Sequence, residues 1–258
     1  MTSVYTTEIA SDSVASDNPI HQRLLKAYVL ATNYVSGNLL EVGCGEGRGI
    51  DWLLPKTKQY SAIDKIAPVV EQLKQKYPQG NFISGNIPPL SSYAENSFDS
   101  TVSFQVIEHI QDDRLFLKEI HRVLKPGGLA LITTPNRPMS LSRNPWHIRE
   151  YTPIELTNLA KEFFLQVEMK GIAGNEKVMQ YYERNKKSVD QMMRWDIFNL
   201  QYKLPALLLR VPYEILNRLN RNKLKDSADE LVMSIHHEDY LLVDEAEKAL
   251  DLFLIVRK

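Results

Sequence analysis

The chain has a single cysteine, Cys44, in 258 residues. An internal disulfide is thereby excluded, and so is a metal site built on several thiolates. Long apolar runs are missing as well. The most hydrophobic later stretch, 204–211, is interrupted by Pro205 and Arg210 and is far too short to cross a bilayer. The first eighteen residues lack the basic patch and apolar core of a signal peptide and are rich in Ser, Thr and Asp, which sets the expectation of a cytoplasmic protein. Charge of one sign is also lacking: 31 Lys and Arg face 32 Asp and Glu, a net charge of −1 without the electrostatic footprint of a general nucleic-acid binder.

Two familiar glycine signatures are absent too. The dinucleotide pattern G-x-G-x-x-G fails in both registers, because Arg48 and Ile50 stand where its last glycine is needed, and no Gly-Lys-Ser/Thr triplet follows to make a P-loop. What is present is Leu39-Leu40-Glu41-Val42-Gly43-Cys44-Gly45-Glu46-Gly47-Arg48-Gly49. An apolar run there reads as a buried strand that breaks into glycines, where backbone N–H groups approach a ligand unhindered by a Cβ. A helix is expected over 46–54, its N-terminus directed at a carboxylate or phosphate.

The second strand, 59–63, ends at Asp64, about twenty positions beyond the glycine turn. A carboxylate at that place accepts hydrogen bonds from both hydroxyls of a ribose; a helix N-cap before Pro68 is the competing reading. Further strands are expected at 81–83, 97–104, 129–134, 164–171 and 250–256, with helices at 19–35, 67–77, 112–124 and 152–161 between them. Strands separated by helices make a parallel sheet with right-handed crossovers and helices on both faces.

The motifs E-V-G-C-G-E-G, I-E-H-I at 107–110 after the Phe98-Asp99 strand, and L-K-P-G-G at 124–128 together resemble class I S-adenosylmethionine-dependent methyltransferases, especially the small-molecule enzymes of ubiquinone biosynthesis and glycan tailoring. The resemblance covers about 19–171 and resumes near 250. It implies an α/β, Rossmann-like sheet of seven strands, mostly parallel with the last antiparallel. It also implies S-adenosylmethionine as cofactor and methyl transfer to a small molecule, as O- or N-methylation of a sugar, lipid-linked or secondary-metabolite acceptor. The alternative is a non-catalytic scaffold or regulatory subunit that binds the same cofactor.

Carried onto these residues, the resemblance assigns the cofactor to Glu41, Gly43, Cys44, Gly45, Gly47, Asp64, Lys65, Asn86, Ile87, Gln105 and Val106. Asn86 stands where the family commonly has an acid, and its amide both donates to and accepts from an adenine edge. The substrate side is assigned to Glu108, Asn136, Trp146, Arg149 and Tyr151, the last three in the loop 144–153. His109 and His147 are the candidate catalytic bases, since an unperturbed imidazole titrates near neutral pH. A structural histidine bonded to backbone is the rival account of His147. Glu108, His109 and Asp112 form a spaced cluster that could hold a divalent ion, but no metal is assigned. Arg23 reads as a solvent-exposed helix residue, with pairing to an amino-acid carboxylate as the alternative.

The expected domains are a flexible segment 1–18, a cofactor-binding domain of 19–173 plus 249–258, and a mainly helical insertion, 174–248. Aromatic and methionine positions from Tyr181 to Tyr202, Trp195 and Phe198 among them, read as the packing of a small cap. From Glu176 to Lys225 eleven basic residues face five acidic ones. That excess suits an anionic acceptor, an acidic membrane surface, a second subunit, or simply a solvated helix face.

Overall fold

The computed structural model describes residues 14–258 apart from 195, 197, 198 and 228. Five parallel strands form the first part of the sheet: β1 (Asn38–Val42), β2 (Gln59–Asp64), β3 (Asn81–Ser84), β4 (Phe98–Phe104) and β5 (Leu124–Pro135). Then come β6 (Gln166–Gly174), β7 (Tyr240–Val243) and β8 (Asp251–Arg257), and the sheet order is β3-β2-β1-β4-β5-β8-β6-β7. β8 runs antiparallel to β5 and β6, and β7 runs antiparallel to β6.

Strand periodicity explains the two cores. Leu39 packs on one face of the sheet with Tyr60, Leu131 and Phe253, while Leu40 and Val42 pack on the other with Ile63, Ile132 and Leu254. Helices α1 (Asn18–Ala31), α2 (Ile50–Leu53), α3 (Ala67–Lys76), α4 (Asp113–Val123) and α5 (Pro153–Lys161) cover these faces. α4 buries Phe116, Leu117, Ile120 and Val123, and its N-terminus is set by Asp112, whose carboxylate accepts from the Leu115 N–H at 2.9 Å. α5 opens with Pro153 behind a capping box of Thr152 and Glu155.

Two expectations are corrected. The sheet has eight strands, because Tyr240–Val243, inside the stretch assigned to the helical insertion, pairs with the outer edge of β6. The helix expected over 46–54 is only Ile50–Leu53: Gly43, Gly45 and Gly47 have φ of 82°, 49° and 80°, which forbids α-helix until the turn is complete. At the described end of the segment 1–18, Ala15–Asp17 form a 3-10 turn with Asp17 fully buried; residues 1–13 lie outside the described residues.

The insertion is helical as expected: α6 (Glu176–Met193), α7 (Leu200–Lys203), α8 (Ala206–Ser227) and α9 (Asp229–Ser234). Trp195 and Phe198 of the expected cap lie outside the described residues. Asp17 ties the entry of α1 to α8, accepting from Arg218 Nη1 at 2.8 Å and Arg221 Nη1 at 3.1 Å.

Candidate active site

The glycine turn leaves β1 with the Gly43 N–H on the Ile63 carbonyl at 2.8 Å, which locks it to the end of β2. A Cβ on Gly43 would lie 2.4 Å from Val106 Cγ2, so the residue after β4 can sit against the turn only because position 43 is glycine. Gly45 differs: its backbone is left-handed, and a Cβ built there meets nothing within 4 Å. Its N–H donates to Asp64 Oδ2 at 2.8 Å, and Asp64 Oδ1 accepts from the Ile66 N–H at 2.9 Å. An open glycine cradle beside a carboxylate at the tip of β2 fits the ribose and amino-acid ends of an adenosyl cofactor. Asn86 and Ile87 follow β3 on the same edge, and Lys65 is exposed just beyond Asp64.

Two residues of the cofactor assignment have other work. Glu41 points into the core beneath the turn, 1% exposed, where Tyr28 donates to one carboxylate oxygen at 2.9 Å and Tyr60 donates to the other. Burial outweighs these bonds and pushes its carboxyl up to about 7. Cys44 is buried too, and burial with the neighbouring Glu41 and Asp64 carboxylates drives its thiol far above the ordinary range, which rules out a ready nucleophile.

At the end of β4, Gln105 adopts φ of 57°, a left-handed conformation rare for a residue with a Cβ, held by its N–H on the Thr133 carbonyl at 2.9 Å. It lines a cavity of about 260 Å³ whose floor is Gln105, Glu108 and His109 and whose roof is α6 and α8. Arg23 reaches the wall from α1, with its Nε 3.2 Å from the buried Asp251 carboxylate. It is thus a cavity residue rather than the solvent-exposed one expected.

Three groups at the floor carry the chemistry. Glu108, His109 and His147 place potential ligand atoms within 4.8 Å of one another. Asp112 is not among them, since it caps α4. Glu108 is 1% exposed, and its Oε2 accepts from the Thr134 hydroxyl at 3.0 Å; burial raises its carboxyl to about 7. His109 Nδ1 lies 3.0 Å from the Trp146 carbonyl, so that nitrogen carries the proton. Burial, then His147, lowers its pKa to about 4, and the ring is neutral at physiological pH.

The tautomer of His147 follows from its neighbours. Asn144 Oδ1 accepts from the Trp146 N–H at 3.0 Å, which turns Nδ2 toward His147 Nε2, 2.8 Å away. An amide NH₂ only donates, so Nε2 accepts and the ring proton sits on Nδ1, 2.6 Å from Glu150 Oε1. Burial opposes ionisation of Glu150, but hydrogen bonds from His147 and Ser140 outweigh it and hold the carboxyl below its usual range. His147 is thus clamped on both nitrogens, which favours a positioning role over the role of base.

Four of the assigned substrate residues prove structural. The Asn136 amide is fully buried and donates to the carbonyls of Ala246, Glu247 and Ala249 at 3.0, 3.1 and 2.7 Å. Arg149 pairs with Asp113 and donates to the Gln111 carbonyl at 2.9 Å, and the Tyr151 hydroxyl also donates to Asp113, at 2.8 Å. Trp146 lies under the Arg210 guanidinium, 4.0 Å from its ring centroid, and anchors the loop to α8. Among the cavity residues that sequence reasoning missed are four on α8, where Tyr213, Asn217, Asn220 and Arg221 share its inner face. Their three- and four-residue spacing among leucines was the available signal.

Sheet order, glycine turn and the carboxylate at the end of β2 define a class I S-adenosylmethionine-dependent methyltransferase fold. Residues 40–132 match the family model described as a methyltransferase domain. It is 38% identical over 144 residues to a probable S-adenosylmethionine-dependent methyltransferase of Mycolicibacterium smegmatis, covering 54% of this chain and 56% of that one. The chain thus spans about half the length of the curated relatives it matches.

Among solved structures it is similar to a Thermotoga maritima methyltransferase described as a possible histamine N-methyltransferase, with a TM-score of 0.57, 14% identity and coverage of 93% and 90%. It is similar also to the [4+2]-cyclase SpnF, with a TM-score of 0.54, 16% identity and coverage of 92% and 81%. At these identities the likeness is one of fold, and a cyclase on the same fold shows that fold alone does not fix the reaction.

Proposed function

We propose that this chain transfers a methyl group from S-adenosylmethionine to a hydroxyl of an uncharged, polar small molecule. The observation that carries the reading is the buried Glu108 carboxyl, its pKa raised to about 7 by burial, at the floor of a cavity directly after β4, the strand that flanks the glycine turn. A hydroxyl needs its proton removed for transfer, and a base with a pKa near the working pH does this best.

Asp64 and the Gly45 backbone would hold the cofactor's ribose and amino-acid ends, with Gln105 and Val106, just after β4, bordering it. When bound, the cofactor supplies an electrophilic methyl on its sulfonium. The cavity orients the acceptor, and Glu108 takes the acceptor proton. His147, clamped by Glu150 and Asn144, fixes the ring of His109, whose centroid lies 5.0 Å away.

The uncharged character follows from the arginines. Arg23 pairs with Asp251, Arg221 shares Asp17 with Arg218, and Glu150 adds a carboxylate, so the wall carries charge of both signs beside its amides and phenols. This favours a sugar-like or phenolic acceptor over the anionic one suggested by the basic excess of the insertion.

Calorimetry with S-adenosylhomocysteine and NAD is the first test. Binding of the adenosyl ligand alone is expected, weakened at least tenfold in Asp64→Ala because a charge-assisted bond is worth about 1.5–3 kcal/mol. Labelled-methyl transfer to neutral hydroxylated compounds follows, with Glu108→Gln expected to bind the cofactor normally and lose transfer. No adenosyl binding, or transfer unaffected in Glu108→Gln, overturns the proposal.

A further inference from the structure

The helix that roofs the cavity has a second face. Leu207, Val211, Ile215 and Leu219 recur every fourth residue along α8, and Leu208 lies beside them, so their side chains form one stripe. Every one is exposed, between 56% and 73%, while Tyr213, Asn217 and Asn220 of the same helix face inward to the cavity. Tyr202, on α7 just ahead, is 65% exposed and extends the stripe. Scattered exposed leucines are ordinary; a contiguous stripe several turns long marks a contact surface.

Charge identifies what fits it. Between Leu200 and Ser227, the end of α8, six basic residues accompany two acidic ones, Glu214 and Asp226. Arg218 and Arg221 serve Asp17, and Arg210 stacks on Trp146. Lys203 and Lys223 are exposed, one near each end of the stripe. A second copy of this chain would be a poor occupant. Two-fold pairing of α8 with itself sets Lys203 or Lys223 against a lysine at both ends, with only Glu214 and Asp226 in the segment to offset them. A surface that is apolar below and anionic above matches both features, since aliphatic side chains enter the acyl boundary while lysines rest among phosphates.

We infer that the outer face of α8 docks on an anionic lipid bilayer, the helix lying in the interface plane with its leucine stripe inserted and its inner face still lining the cavity. No described helix is long and apolar enough to cross a membrane, which leaves α8 as a peripheral contact. This goes beyond the methyl-transfer reading and does not depend on it. It does bring the cavity roof to the bilayer surface, where an acceptor anchored in lipid would be presented.

The test is vesicle flotation of the full chain with phosphatidylcholine alone and with phosphatidylcholine containing about one-third phosphatidylglycerol. Binding is expected to the anionic vesicles and to weaken with salt. Val211→Asp with Ile215→Asp should abolish it. Lys203→Ala with Lys223→Ala should weaken it about fivefold for each lysine removed. All variants alter exposed positions, and circular dichroism and S-adenosylhomocysteine binding should match wild type, which separates loss of docking from loss of fold or cofactor site. Failure of wild type to float, or flotation equal in wild type and Val211→Asp/Ile215→Asp, overturns the inference. So does a wild-type dimer by light scattering that the aspartate pair converts to monomer without any vesicle binding, since the stripe is then a self-interface.

Discussion

Glu41 makes stability depend on pH in a way that one substitution removes. Its carboxyl is fully buried with a pKa of about 7, against an ordinary value of 4.5. A raised folded-state pKa means that the folded chain holds the proton more tightly than the unfolded one. The contribution is therefore complete below pH 4.5 and is lost as pH rises through 7. The full loss is about 3 kcal/mol, from roughly 1.4 kcal/mol for each pH unit that separates the folded from the unfolded value, and about 2.5 kcal/mol of it falls between pH 5 and 8. Glu41→Gln keeps the shape and an acceptor for one tyrosine but has no proton to lose. Urea unfolding of wild type and Glu41→Gln at half-unit intervals from pH 5 to 8 should show the variant gaining about 2.5 kcal/mol relative to wild type as pH rises. Groups whose pKa is unchanged by the substitution, Glu108 among them, cancel in this difference. A difference that stays flat across the range would refute the buried, protonated Glu41.

Asp17→Ala removes the carboxylate that faces the buried Arg221 and frees the entry of α1 from α8. A loss of about 3 kcal/mol is expected in thermal or urea unfolding. Gly49→Ala would put a Cβ 1.7 Å from the ring of Tyr28, which also holds Glu41, so it should cost about 1–3 kcal/mol. Gly45→Ala meets no atom and should cost only about 1–2 kcal/mol from its left-handed backbone, yet it should abolish S-adenosylhomocysteine binding in calorimetry. Methyl transfer by wild type should rise with pH through about 7 as Glu108 loses its proton, and Glu108→Gln should remove that limb from the profile.

The glycine turn, Asp64 and the succession of strands were legible because each rests on local pattern: an apolar run, a positive-φ requirement, a spacing of about twenty residues. Glu41 was misassigned although the same pattern placed it. On a strand, positions 39 and 41 share a face, and Leu39 lies on the side where Tyr28 and Tyr60 pack. The loop 136–151 misled for a different reason. Asn136, Arg149 and Tyr151 are polar and close to the site in sequence, but their partners lie at Ala246–Ala249 and Asp113, contacts that no local window contains. β7 escaped notice because four residues at a sheet edge carry too little alternation to register.

The insertion leaves the sheet at the end of β6 and returns at the start of β8, and those two strands are hydrogen-bonded neighbours, with Gly171 opposite Leu252. An excursion that departs and lands on adjacent rungs can be lengthened, shortened or exchanged without shifting the register of any strand from β1 to β5. β7, which covers the outer edge of β6, must be kept or replaced, and so must the partners of Asp17 on α8 and of Asn136 at Ala246–Ala249. The α6 and α8 wall of the cavity therefore belongs to an excursion whose length can change while the glycine turn and Asp64 keep their places.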